Sequence, residues 1–379
     1  MSSAALRRTA AFFLFVMLLA LAACSSSSTR ICNAAGNSCC GAGNDLCVAP
    51  QFVYAANVDG QLSTFPVDPA TGGLSTPTTV TAPSGSWGMA VFNNSFLYLS
   101  NPQLGGYGSI SGWTITPGEG LLTPISASPF QLDDSLPFGM AVDPAQNMLY
   151  VADADKIRAL RVDAMTGIPT EIATSPFPAG LSMYLAIDPQ NRFLFAADQR
   201  SPGSVWAYAI DASGNLISVP GSPFAADPNA SSDTSPYGIV VDPSGSFVYV
   251  ALAGTDQVAA FSITPDTGVL SPVAGSPFTA GGTPSQLVVA NQFLYVSNSQ
   301  DGTISGYSIN ANGSLRPIAG SPFNFNVSSL TTNFTGSVLY GSSSQGMLAL
   351  GIGSTSGTLS MIGSPVPFSP GAIAMAFLQ

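Results

Sequence analysis

The feature of this sequence that most limits its fold is one unit repeated seven times. The copies begin with apolar, aromatic-rich segments: FVYAAN at 52–57, FLYLSN at 96–101, MLYVAD at 148–153, FLFAAD at 193–198, FVYVAL at 247–252, FLYVSN at 293–298 and VLYGSS at 338–343. Their first residues are 44, 52, 45, 54, 46 and 45 positions apart. Such a unit cannot bury its apolar face alone, so neighbouring copies must pack on one another.

Each copy contains further segments that return in the same order. An alternating segment (VWAYAI at 205–210) is followed by a turn such as DTG at 266–268, by a GSPF-like tetrapeptide (221–224) and by an apolar segment that closes on Asp-Pro (PYGIVVDP at 236–243). The alternation has a period of two, which indicates strands. Four strands in about 45 residues form one propeller blade. We therefore predict an all-β, seven-bladed β-propeller of four-stranded blades over residues 51–379.

The C-terminal segment predicts how the ring closes. An apolar stretch, 372–377, follows Pro370-Gly371 and matches the Pro-led strand of the other copies. A ring has no free edge only if both ends of the chain complete one blade. We predict that Ala372–Gln379 is the innermost strand of a composite blade whose outer three strands come from about residues 52–80.

The composition removes several kinds of chemistry. The chain has no histidine, which excludes a Ser-His-Asp triad, a Cys-His pair and histidine-ligated zinc or haem. Its 9 Lys and Arg residues against 20 Asp and Glu argue against nucleic acid as a partner. Charged residues make up only 8% of the chain, but 46% are hydrophobic, so a large core can form.

The first residues are typical of an export signal. Two arginines precede an apolar run at 10–23, which as a helix spans about 21 Å and is too short to cross a membrane. The run ends in LAAC, which resembles the lipobox of bacterial lipoproteins. We predict a lipoprotein signal peptide at 1–23, a lipid on Cys24 and a tether over 24–31. The protein would then lie in the cell envelope, on the periplasmic or cell-surface side, with the lipid as its membrane contact. The alternative is an ordinary secretory peptide with an incidental cysteine.

Four more cysteines follow in a symmetric C-x6-C-C-x6-C spacing: Cys32, Cys39, Cys40 and Cys47. In an exported chain they indicate two disulfides. The spacing leaves three connectivities open, of which the strained pairing of adjacent cysteines is the least favoured. A four-thiolate zinc site is the other interpretation. We predict a disulfide-stapled segment over 32–50, ahead of the propeller.

The repeated unit also resembles a known family. Its [FM][LV]Y[VL] strand, TG turn, GSPF strand and Pro-led AVDP strand are similar to those of seven-bladed lactonase-like propellers. This group includes 6-phosphogluconolactonase-type, muconate-cycloisomerase-like and YVTN-type proteins. The resemblance implies hydrolysis of a sugar lactone by His, Arg and Glu in the channel. Histidine is absent here, and the only glutamates, Glu119 and Glu171, are expected on the opposite face, so no catalytic set can be transferred.

A polar residue ends the first strand of most copies: Asn57, Asn101, Asp153, Asp198 and Asn298. In a propeller these strand ends face the same side as the loops that enter the innermost strands. We expect a polar, ligand-binding ring at the mouth of the channel, with Arg200 beside it. The alternative is that each residue caps its own hairpin through an Asx hydrogen bond.

Aromatic residues are expected at the same mouth, each near the start of an innermost strand: Trp87, Phe138, Tyr184 and Tyr237. Two long loops on this side, 131–136 and 225–235, add the carboxylates of Asp133, Asp134, Asp227 and Asp233. Propellers usually bind ligands where loops are inserted on one face. An aromatic and carboxylate rim suits a sugar-like or other small polar ligand.

One pair of residues is a candidate for catalysis. Asp153 and Asp155, beside Lys156 and Arg158, could act as acid and base or hold Ca²⁺ or another divalent cation that activates water. Three hypotheses follow: binding of a ligand or an envelope protein without catalysis, hydrolysis of a sugar lactone, and a structural scaffold role in the envelope. The absence of histidine favours the first and the third.

Overall fold

The computed structural model describes residues 50–102, 107–133, 135–230, 232–368 and 372–378, with only the backbone for 372 and 373. These ranges contain strands and turns but no helix. In the described part of the chain no helix is long and apolar enough to span a membrane. The predicted signal peptide, tether and cysteine segment lie outside the described residues, as do Asp134 and the following cysteines: Cys24, Cys32, Cys39, Cys40 and Cys47.

The described strands form seven antiparallel sheets, the blades of a propeller. Blade 1 consists of β1 (Gln51–Asn57), β2 (Gln61–Val67), β3 (Thr78–Thr81) and, from the other end of the chain, β32 (Ala372–Leu378). Blade 2 contains β4 (Met89–Phe92), β5 (Phe96–Asn101), β6 (Ser109–Ile115), β7 (Leu122–Pro124) and β8 (Phe130–Gln131). Blade 3 contains β9 (Pro137–Asp143), β10 (Met148–Asp153), β11 (Lys156–Val162), β12 (Pro169–Glu171) and β13 (Phe177–Pro178).

The remaining blades repeat this order. Blade 4 contains β14 (Ser182–Ile187), β15 (Phe193–Asp198), β16 (Ser204–Ile210), β17 (Leu216–Ser218) and β18 (Phe224–Ala225). Blade 5 contains β19 (Pro236–Val241), β20 (Phe247–Leu252), β21 (Gln257–Ile263), β22 (Leu270–Pro272) and β23 (Phe278–Thr279). Blade 6 contains β24 (Pro284–Ala290), β25 (Phe293–Asn298), β26 (Thr303–Ile309) and β27 (Leu315–Pro317). Blade 7 contains β28 (Ser329–Thr332), β29 (Val338–Ser343), β30 (Gly346–Ile352) and β31 (Leu359–Met361).

The two ends of the described chain meet in blade 1. β32 pairs antiparallel with β1, so that Phe52 lies opposite Leu378 and Tyr54 opposite Ala376. The ring of Phe377 stacks on that of Tyr340 in blade 7, with centroids 5.8 Å apart. The predicted composite blade and the predicted count of seven are both confirmed.

The core lies between the blades, not within them. Seven clusters of buried residues each join two neighbouring blades. The cluster between blades 7 and 1, for example, contains Val53, Phe65, Val338 and Met347. The phenylalanines of the GSPF-like segments pack against these clusters, one to each interface where they occur: Phe130, Phe177, Phe224, Phe278 and Phe323. The apolar repeat therefore holds the ring together by blade-to-blade contact.

A repeated hydrogen bond also links the blades. In six of them the tyrosine of the second strand donates its hydroxyl to the carbonyl of a glycine in the TG- or NG-like turn of the next blade, at 2.6 to 3.0 Å. Tyr340 in blade 7 donates to Gly72 in blade 1 and so closes the circle. Blade 4 is the exception because it has Phe195 at this position. Two sequence motifs that are separate along the chain are thus hydrogen-bond partners across six of the seven interfaces.

Candidate functional site

The innermost strands all begin at one face of the ring, the mouth face. A cavity of about 130 Å³, the mouth cavity, opens there and is lined from all seven blades. One lining residue from each is Trp87, Met140, Tyr184, Ile239, Gln286, Ser329 and Met375. None of the described residues that line it is charged. The mouth cavity therefore suits an uncharged ligand, because a bound ion would lose its water without meeting an opposite charge.

Glycines let the innermost strands approach closely at the mouth. A Cβ on Gly88 would lie 2.3 Å from the carbonyl oxygen of Phe138, and one on Gly238 would lie 2.2 Å from that of Ser285. Only glycine permits backbones to come so near. These positions consequently contribute no side chain to the channel, and space for a ligand remains.

Three other blades have a polar side chain where blades 2, 3 and 5 have glycine. By strand register, Tyr184, Gln286 and Ser329 are the counterparts of Gly139. Gln286 Nε2 donates to the Tyr184 hydroxyl at 3.2 Å. Gln286 Oε1 accepts from Ser329 Oγ at 3.2 Å and from the Leu330 amide at 3.0 Å. This chain of hydrogen bonds connects blades 4, 6 and 7 and fixes the direction of the three side chains.

Two pairs of aromatic rings lie near the mouth, and one ring of each pair, Trp87 and Tyr184, lines the mouth cavity. The rings of Trp87 and Phe138 meet edge to face at 5.6 Å between centroids, and those of Tyr184 and Tyr237 lie 5.1 Å apart. Burial raises the pKa of Tyr184, while contacts with Gln286, Tyr237 and Trp87 lower it by less. Burial likewise raises the pKa of Tyr237. Both hydroxyls are therefore neutral at physiological pH, and the structure brings the four predicted aromatic residues together.

A second cavity opens at the opposite face of the ring. It measures about 750 Å³, and Met89 and Met375 line both cavities. Two of the polar side chains at its rim are bonded to the protein itself: Asn291 Nδ2 donates to the Thr335 and Gly336 carbonyls, and Asn333 Oδ1 accepts from the amides of Ser337 and Val338. Asn94 and Thr331 also line this larger cavity.

The asparagines of the predicted polar ring are buried and bonded locally. Asn57 Oδ1 accepts from the amides of Asp59 and Gln61, at 3.1 and 2.9 Å. Asn101 Nδ2 donates to Ser111 Oγ at 2.9 Å, and its Oδ1 accepts from Ser86 Oγ. The structure therefore places Asn57 as the hairpin cap that the alternative interpretation described, and Asn101 in a buried network behind the channel wall.

Asn298 resembles Asn101 in its surroundings. Its Nδ2 donates to Thr303 Oγ1 and Ser305 Oγ, both at 2.9 Å, and its buried Oδ1 has no hydrogen-bond partner among the described residues. A Cβ on Gly281 would lie 2.6 Å from Asn298 Nδ2, so the loop covers this side chain. Asn57, Asn101 and Asn298 are not among the residues that line the mouth cavity.

Asp198 and Arg200 pair with one another. Arg200 Nη2 lies 3.1 Å from Asp198 Oδ2, and Trp206 Nε1 donates to the same oxygen at 3.2 Å. Burial would raise the pKa of Asp198, but the hydrogen bonds from Arg200 and Trp206 outweigh it and lower the pKa. The side chain of Arg200 is 52% exposed and lies over its own hairpin. Neither residue lines the mouth cavity.

The candidate catalytic aspartates have very different surroundings. Asp153 is fully buried, and its Oδ2 lies 2.6 Å from Arg158 Nε. Its Oδ1 accepts from the Leu136 amide. Asp155, by contrast, is exposed. The structure therefore does not present the two carboxylates to one open site.

Arg158 also contacts Glu171, a residue that the sequence analysis predicts on the opposite face. Its Nη1 lies 2.8 Å from Glu171 Oε2, and its Nη2 donates to the carbonyl of Asp133. We expected Glu171 at a turn on the far face. That expectation is wrong because β12 is short and ends at Glu171, opposite Leu160 in the middle of β11.

The loop aspartates on the mouth side mainly cap their own turns. Asp227 Oδ1 accepts from the Asn229 amide at 2.9 Å, and Asp233 Oδ1 accepts from the Ser235 amide at 3.0 Å. Within the described ranges, no three His, Cys, Asp or Glu side chains are grouped so as to hold a metal ion.

Sequence reasoning missed Gln286 and Ser329. A signal was present, because both stand where the motifs PFGM and PYGI have glycine. Their partnership with Tyr184 could not be seen, since Tyr184 and Gln286 are separated by a whole blade and 102 positions in sequence.

Comparison with known proteins agrees with this fold. The family model of the seven-bladed β-propeller lactonases matches residues 133–337, more than half of the chain. The chain belongs to this family. A search of curated proteins found no match.

Solved structures of the same architecture resemble the chain closely in fold and weakly in sequence. A candidate 6-phosphogluconolactonase from Bacteroides uniformis superimposes with a TM-score of 0.74 at 14% identity, covering 87% of this chain and 100% of the other. A protein from Lactobacillus plantarum gives 0.72 at 18% identity, covering 88% and 100%. The periplasmic gluconolactonase PpgL of Pseudomonas aeruginosa gives 0.70 at 17% identity, covering 87% and 99%. At such identities the likeness establishes the fold alone.

Proposed function

We propose that this protein binds a small, uncharged ring compound of the sugar or sugar-lactone class in the mouth cavity and does not hydrolyse it. The observation that carries the proposal is the uncharged lining, to which every blade contributes. Aromatic rings such as those of Trp87 and Tyr184 suit the apolar face of a sugar ring. The hydrogen bonds that join Tyr184, Gln286 and Ser329 hold these polar side chains in fixed positions for contact with a ligand.

Binding is favoured over hydrolysis because the described residues of the lining include no group that could activate water. Hydrolysis of a lactone needs a general base or a metal-held water near the carbonyl carbon. No carboxylate, imidazole or cationic side chain is among the described residues of the lining. Family membership and the likeness to a gluconolactonase support the second candidate, a lactone hydrolase that works through Asp153 and Asp155.

One experiment separates the two candidates. The full chain, purified in detergent, is titrated by calorimetry with D-glucono-1,5-lactam, a stable relative of the lactone, and is also assayed for hydrolysis of D-glucono-1,5-lactone with and without Ca²⁺. We expect saturable binding of the lactam and lactone loss at the buffer rate. We expect Trp87→Leu to weaken binding at least about tenfold, while Phe334→Leu, an aromatic change at an exposed site on the other face, leaves it unaltered.

A different outcome of the hydrolysis assay would contradict the proposal. Lactone hydrolysis above the buffer rate would overturn our proposal, and its loss in Asp153→Asn/Asp155→Asn with an unchanged circular dichroism spectrum would assign the hydrolysis to this pair. The same assay with Asp301→Asn, an aspartate outside the pair, controls for a general effect of charge.

We further propose that the protein is held on the outer side of a membrane by a lipid on Cys24. The LAAC motif after a short apolar run supports this location. A partition assay between detergent and aqueous phases tests it: the wild type and Ser25→Ala should enter the detergent phase, and Cys24→Ser should remain in water. Equal partition of Cys24→Ser and the wild type would contradict lipid attachment.

A further inference from the structure

Phe334 is an exposed aromatic residue at the rim of the cavity on the opposite face. It lines that cavity and is 76% exposed. The turn that carries it is held on both sides: Asn333 Oδ1 accepts from the Val338 amide at 3.0 Å, and Asn291 Nδ2, from blade 6, donates to the Thr335 carbonyl at 2.9 Å. Burial of so exposed a ring is favourable, so this rim suits a partner with apolar side chains.

The rest of the cavity wall is mostly apolar. Val91, Val289 and Phe377 come from blades 2, 6 and 1, and none of the described lining residues is charged. The turns at this face carry exposed carboxylates, on Asp68, Glu119, Asp163 and Asp266. Arg161 and Arg192, on the same side, donate to backbone carbonyls of the protein. An anionic lipid surface or an acidic partner is therefore disfavoured at this cavity.

The N-terminal part of the chain joins the propeller at this same face. β1 runs from Gln51 towards the mouth, and Val53 lies opposite Phe377 of the cavity wall. Paired strands are about 4.8 Å apart. Val48 is only a few positions before Val53, and an intervening chain of that length spans at most about 18 Å. The residues just ahead of β1 are thus within reach of the cavity.

The observations favour one occupant, the cysteine segment (residues 32–49), which lies outside the described residues. Its one charged residue is Asp45, and the apolar residues Leu46 and Val48 stand close to β1 in sequence. Its covalent attachment beside the cavity gives it a local concentration in the millimolar range, so even weak contacts suffice to hold it there. A separate partner lacks this advantage.

We propose that the cysteine segment folds back over the cavity on the opposite face, with Leu46 and Val48 packed against Phe334 and Phe377. A ligand then enters the channel from the mouth face alone. The chain leaves the propeller on the side away from the mouth, so the lipid proposed for Cys24 directs the mouth away from the membrane. This contact does not depend on what the mouth cavity binds.

Photochemical cross-linking of the full chain, purified in detergent, provides the test. The photoreactive residue p-benzoylphenylalanine replaces Phe334, and chymotryptic peptides are identified by mass spectrometry after irradiation. We expect cross-links from this position to the cysteine segment of the same chain. Leu46→Ser/Val48→Ser should remove most of them, whereas Asn33→Ser/Asn37→Ser, in the same segment, should leave the yield unchanged. Circular dichroism verifies that each variant is folded.

Matched controls place the same probe at other exposed residues. Met165, on the same face, is 92% exposed and does not line the cavity, and Tyr107, at the mouth face, is 65% exposed. The probe at Phe334 should react with the cysteine segment at least about fivefold more than the probe at either control, because attachment concentrates the segment near the cavity.

Three results would overturn the proposal. Equal yields from the probes at Phe334 and Met165 would show that the segment has no preferred position on this face. Cross-links from Phe334 to a second chain would assign the cavity to another copy of the protein. Irradiation that gives no product between Phe334 and the cysteine segment would leave the cavity without this occupant.

Discussion

Arg158 Nε lies 2.6 Å from Asp153 Oδ2, and both side chains are buried beside the mouth. Arg158 continues to Glu171, so one guanidinium joins two strands of blade 3 and, through the Asp133 carbonyl, the loop that enters β9. A carboxylate held in this way is committed to the fold. The position of Asp153 therefore argues for a structural role.

Loss of the Asp153 carboxylate should lower stability. Asp153→Asn leaves a buried guanidinium with less compensating charge, so we expect the free energy of unfolding to fall by about 3 kcal/mol. Asp155→Asn, at the exposed neighbouring position, should change it by less than about 0.5 kcal/mol. Urea unfolding at neutral pH measures both variants. Equal stability of the two variants would contradict a structural role for Asp153.

The hydrogen bond between tyrosine and glycine can be removed at one blade interface and introduced at another, and the two changes should have opposite effects on stability. Tyr340→Phe removes the bond to the Gly72 carbonyl and should cost about 1 kcal/mol. Phe195→Tyr should supply the bond that blade 4 lacks, to the carbonyl of Gly268, and stabilise by a similar amount. Chemical unfolding of both variants checks the pair. Destabilisation by Phe195→Tyr would mean that the interface between blades 4 and 5 is packed differently from the other interfaces.

The pH dependence of stability should contain a contribution from Asp143. Its side chain is fully buried, and within the described part of the chain its Oδ2 has no hydrogen-bond partner. Burial raises its pKa more than the amides of Gln146 and Ala145 lower it, and Asp188 raises it further. Because the folded-state pKa is raised, the stabilisation is complete below the unfolded pKa and is lost as the pH rises through the folded-state value.

Asp143→Asn removes that loss and keeps the turn, because an amide oxygen can still accept from the Ala145 amide. We expect the variant to gain stability relative to the wild type as the pH increases, as measured by unfolding at a series of pH values. Asp188→Asn is the contrast, because Asp188 Oδ2 lies 3.0 Å from Arg192 Nε, and it should lose stability. A constant difference between Asp143→Asn and the wild type at every pH would refute the prediction.

Closure of the ring predicts a sharp effect of truncation. Ending the chain at residue 371 removes β32 and exposes the edge of β1, which is otherwise paired along its length. We expect loss of the cooperative unfolding transition and aggregation, followed by circular dichroism and light scattering. Removal of Gln379 alone is the control and should leave both unchanged. A soluble, cooperatively folding 1–371 chain would show that the composite blade is dispensable.

Much of the fold could be predicted from sequence because its determinants recur. The apolar strand, the turn and the GSPF segment appear in many copies, so an error in one copy is corrected by the others. The Asp-Pro turns illustrate this: Asp188 Oδ1 accepts from the amides of Arg192 and Phe193, and Asp242 Oδ1 accepts from those of Ser246 and Phe247.

The site was harder to predict because it depends on departures from the repeat. Tyr184, Gln286 and Ser329 each replace a glycine once, and they meet only because the ring brings blades 4, 6 and 7 to one axis. A repeat pattern shows only what the blades have in common, so it does not predict residues that occur in a single blade. The polar residues at the strand ends could be picked out from the sequence because they recur. At Asn57 the recurring residue caps its own hairpin.

A structure of the full chain with D-glucono-1,5-lactam bound tests the central claim most directly. We expect density for one ring in the mouth cavity, in contact with the side chains of Trp87 and Tyr184. Density for the lactam at the opposite face, or beside Asp153 and Asp155, would contradict the claim.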